Sequence, residues 1–193
     1  MIITENEVAD LSVHEWRSPE LAAALYRLTD EGVTARQIAD YEGLTVYDRR
    51  WFLTHLLARG PRPSLRGLVA WACGCAFDVV DLVAQEGEVR HALEAAVRWS
   101  AGEEIMRRDI AAAIQEFDDP LAPLFAWATS APAACQSALV TAMHAIEHDL
   151  GRAADEAARA ARYAAEARND AWAEQSTALG QLRELAAILD ATP

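Results

Sequence analysis

A chain of 193 residues with 52% hydrophobic residues suits a single domain, with room for a small appended subdomain, and is long enough to bury a substantial core. Its formal charge of −13 opposes the phosphate-neutralising surface of a general nucleic-acid binder and the attraction to an anionic membrane. No uncharged run reaches the ~18 residues of a membrane span. The first residues carry neither the basic region nor the apolar core of a signal peptide, so a cytoplasmic protein is expected.

Residues 1–17 are acidic and aperiodic, and read as an extended arm pinned by Val8, Leu11, Val13 and Trp16. Ser18 followed by Pro19 and Glu20 is a helix start, and that helix runs through Leu21, Leu25 and Leu28 to Gly32. Thr34 with Gln37 is a capping box for a short helix through Ile38. Thr45 opens another, through Tyr47, Trp51, Phe52, Leu53, Leu56 and Leu57, stopped by Gly60. The segment 60–63, Gly-Pro-Arg-Pro, bars helix continuation, and divides residues 1–60 from a helical core domain, 61–193.

Residues 64–102 hold two helices. The first is apolar round most of its circumference, which requires other helices on every side. The second turns Glu88, Arg90, Glu94 and Arg98 outward from Leu93, Ala96, Val97 and Trp99. A charged helix over 102–117, with Ile105, Ile110 and Ile114 inward, follows. Starts at Asp119-Pro120 and Ser130 come next, the latter leading through Cys135, Leu139 and Met143 to a stop at Gly151. The alanine-rich run 152–168 permits close helix approach, within one chain or across a homodimer, and a last helix spans 170–190. No segment alternates as a strand does. The expected fold is all-α, a bundle of eight to ten short helices around the central pair.

The segments Leu44-Thr45, Asp48 to Leu53, Ala70 to Ala76, Arg90 to Ala96 and Trp99 to Glu103 together resemble the Imm-5-like family of immunity proteins. The resemblance covers about 44–168. It departs at Gln85-Glu86-Gly87, where the turn between the central helices is shortened, and in the late helix, which keeps only His144 and His148. It implies an α-helical protein associated with toxins, and it assigns no functional residue. The implied function is a non-enzymatic binding protein that occludes a partner or sequesters a ligand. With the acidic charge, a basic toxin protein or peptide is the partner class this suggests.

Three other chemistries have residues to support them. His144-Ala145-Ile146-Glu147-His148 matches H-x-x-E-H, which on a continuous helix would place both histidines on one face as zinc ligands beside Glu147. Chance and an ordinary surface helix also account for so short a match. Residues 32–60 have the layout of a helix-turn-helix regulator, with 45–57 as recognition helix and Arg49 and Arg50 outward. A net charge of +1 there is weak for DNA. Trp71, Trp99 and Trp127, with His144, could line a pocket between helices for a small molecule, used for binding or catalysis, although tryptophans at helical spacing usually form core. Cys73, Cys75 and Cys135 read as buried free thiols. There is no nucleophile elbow, phosphate-cradling loop or dinucleotide fingerprint, and so no positive sign of an enzyme.

Overall fold

In the computed structural model the described residues are 2–4, 6, 8, 19–29, 32–60, 63–83, 86–104, 108, 110, 130–167 and 171–191. They form eight helices and one two-residue antiparallel strand pair, and the architecture is an all-α bundle. Strand β1 (Ile2–Ile3) is followed by α1 (Pro19–Thr29), β2 (Val33–Thr34), α2 (Ala35–Asp40) and α3 (Val46–Arg59). Then come α4 (Leu65–Phe77), a 3-10 turn (Val80–Leu82), α5 (Glu86–Ser100), α6 (Ser130–Ile146), α7 (Leu150–Glu166) and α8 (Ala171–Ala191). Of the expected helix over 102–117, Gly102, Glu103 and Glu104 lie outside any helix, and beyond them only Arg108 and Ile110 are described, Ile110 being fully buried. The start at Asp119 lies outside the described residues, as do Leu11, Val13 and Trp16.

Local chemistry explains the helix starts. The Thr34 hydroxyl accepts from the Gln37 backbone, and the Gln37 side chain accepts from the Thr34 backbone at 2.8 Å, so the capping box is complete. Thr45 caps α3 through the Asp48 N–H, Ser64 caps α4 through the Gly67 N–H, and Asp149 caps α7 through the Arg152 N–H.

The Asp149 cap corrects one boundary. The helix expected to continue to Gly151 ends at Ile146, because the chain must leave it before Asp149 can open α7. His148 makes the reversal at φ 58°, in the left-handed region where glycine is usually found.

Helix α4 packs against α3, α5, α6, α7 and α8, as its nearly unbroken apolar circumference requires. The second hub is α7. Ala153, Ala154, Ala157, Ala160, Ala161, Ala164 and Ala165 are all buried, and these small side chains let α7 lie close against α6 and α4. Larger side chains from the neighbours, Phe52, Leu53, Leu68, Leu93, Leu139, Leu182 and Leu185, fill the remaining volume in one continuous core. Each fully buried Leu or Phe contributes roughly 1.5–3 kcal/mol. Residues from both sides of the segment 60–63 belong to that core.

Helix α3 lies antiparallel on α7, with positions 47, 51, 55 and 59 of one facing 162, 158, 155 and 151 of the other. A Cβ at Gly151 would collide with the Arg59 guanidinium, so glycine there lets Arg59 lie across the first turn of α7. Among the described residues no helix is long and apolar enough to cross a membrane.

Candidate functional site

The residues singled out in the sequence do not converge on one site. Trp71 is 3% exposed and its indole N–H donates to the Gln181 carbonyl at 3.0 Å, which ties α4 to α8 inside the core. Trp99 is half-buried near the end of α5, with the Arg66 guanidinium 5.7 Å over its ring. Trp127 lies outside the described residues. His144 sits on α6 with its Nδ1 3.6 Å from a Glu147 oxygen, too long for a hydrogen bond.

The H-x-x-E-H segment does not form the geometry that the motif needs. The helix ends at Ile146, and Glu147 and His148 belong to the turn, so the histidines are not stacked at i and i+4 on one helix. Among the described residues, no group of three or more His, Cys, Asp or Glu side chains is placed to hold a metal ion.

The helix-turn-helix layout meets a similar correction. Every residue from Arg49 to Ala58 is buried, because α2, α4, α7 and α8 surround α3. Arg49, expected to point outward, instead donates to the Ala39 carbonyl at 2.6 Å and is 5% exposed, and Arg50 is 3% exposed. Burial lowers the Arg49 pKa, an effect opposed by the charges of Asp40 and Glu42. No arginine face is left on α3 for a DNA groove.

Two surface features carry chemistry in their place. One is a pocket of about 260 Å³ between α3 and α7, lined by Tyr47, Trp51, Asp155, Ala158, Arg159 and Arg162. The helical repeat builds it. Residues 47, 51 and 55 follow each other at i+4 on α3, and residues 155, 158, 159 and 162 form the facing stripe of α7. Behind the pocket, buried His55 stands 3.2 Å from an Asp155 oxygen, and its ring lies 4.4 Å from that of Trp51. The imidazole therefore fixes both the carboxylate and the indole. Arg159 reaches Glu156 at 2.6 Å, and the Arg162 guanidinium lies 4.5 Å over the Tyr163 ring.

Sequence reasoning missed the His55–Asp155 pair because its members are 100 positions apart. The available signal was His55 itself, a polar residue at i+4 spacing in line with Tyr47 and Trp51 on α3.

The other feature is an acidic surface over residues 78–104. Asp78, Asp81, Glu86, Glu88, Glu94, Glu103 and Glu104 are all exposed along this segment, which carries two arginines of its own, Arg90 and Arg98, and receives Arg66 over Trp99. Part of this charge is arranged as an i, i+4 ladder along α5, with Arg90 on Glu86 at 2.8 Å. An open groove of about 460 Å³ runs across the same face, lined by Phe77, His91, Glu94, Val97 and Arg98. Leu82 is 49% exposed in the same segment.

The three cysteines are buried free thiols. Burial pushes the Cys73 and Cys135 thiols up to about 12, and raises that of Cys75 as well, so none is poised as a nucleophile. In comparisons with family models, curated proteins and solved structures, nothing matches this chain.

Proposed function

We propose that this chain is a non-enzymatic binding protein, similar in its mode of action to an immunity protein, which occludes a basic protein or peptide through the acidic surface of residues 78–104. The observation that carries this reading is the seven exposed carboxylates of residues 78–104, against Arg90 and Arg98 of that segment and Arg66 over Trp99, together with an open groove lined by Phe77, Val97 and Glu94. A surface of this kind steers a cationic partner electrostatically, and the groove then offers desolvated apolar contact to an anchoring side chain. The resemblance over 44–168 to Imm-5-like immunity proteins supports the same reading, and any toxin encoded beside this gene is the partner to try first.

Isothermal titration against that toxin tests the proposal. Saturable binding is expected, weakened by added salt and by the double change Glu88→Lys, Glu94→Lys, both sites being exposed on α5. No binding with both proteins folded would count against the proposal, as would binding indifferent to salt and to the charge reversal.

A further inference from the structure

We draw no further inference here: the strongest candidate, the open groove along α5 lined by Phe77, His91, Glu94, Val97 and Arg98, belongs to the acidic surface already described, and the opposite charges of Glu94 and Arg98 in its lining select no occupant beyond the partner proposed for that surface.

Discussion

Replacing Gln181 by methionine should stabilise the protein. Gln181 lies on α8 and is 3% exposed, and both amide atoms of its side chain are buried without a hydrogen-bond partner among the described residues. Such a group forfeits its bonds to water and regains none, at a cost of about 1–3 kcal/mol. Methionine keeps the unbranched length and a similar helix propensity, and a volume-conserving exchange costs less than about 1.5 kcal/mol in repacking. The bond from Trp71 survives, because its acceptor is the backbone carbonyl of residue 181. The net expectation is a gain of about 1 kcal/mol, and a midpoint of thermal unfolding about 2–4 °C higher for a chain of this size. Urea unfolding followed by tryptophan fluorescence, with calorimetry alongside, measures it. A midpoint that falls or stays put refutes the reasoning, since it would mean that the amide is satisfied in the folded protein.

Three further outcomes follow from the packing and the charges. Ala157→Leu, at a fully buried position of α7, should cost about 1–3 kcal/mol by overpacking, whereas Arg152→Ala on the exposed face should stay within about 0.5 kcal/mol, both read by urea unfolding. A thiol reagent such as DTNB at pH 8 should find no reactive cysteine in the native protein and all three in urea, because all three thiols are buried with raised pKa values. Asp40 is held below its ordinary range by Arg36 at 2.8 Å and Arg183 at 2.9 Å. A depressed carboxyl contributes stability above its unfolded value, near 3.9, and loses it as pH falls through its folded value. Its side chain is 39% exposed, so the effect stays under about 1 kcal/mol. Asp40→Asn should therefore shrink slightly the drop in urea midpoint between pH 6 and pH 3, and a drop equal to wild type would contradict the assigned shift.

Much of the fold was legible because its causes are local. Thr34 and Gln37 form their box within one turn, Pro19 opens α1, and Gly60 closes α3. The apolar circumference of α4 required neighbours on all sides, and the alanines of α7 implied close packing. What escaped the sequence depends on distant partners. Arg49 and Arg50 count as surface charges in any local reading, and only the layering of α2, α4, α7 and α8 around α3 buries them. His148 looked like the second histidine of a helical pair until the Asp149 cap took the chain out of the helix. The pocket depends on His55 finding Asp155, and periodicity carries no information about that pairing.

The central claim, that this protein acts by binding a cationic partner at its acidic surface, is tested most directly by hydrogen–deuterium exchange. Amide exchange would be compared for the free chain and for its complex with a basic protein partner. The account predicts slowed exchange concentrated in residues 78–104, with α7 unchanged. Protection centred on another face, or none in a complex that has formed, would contradict it.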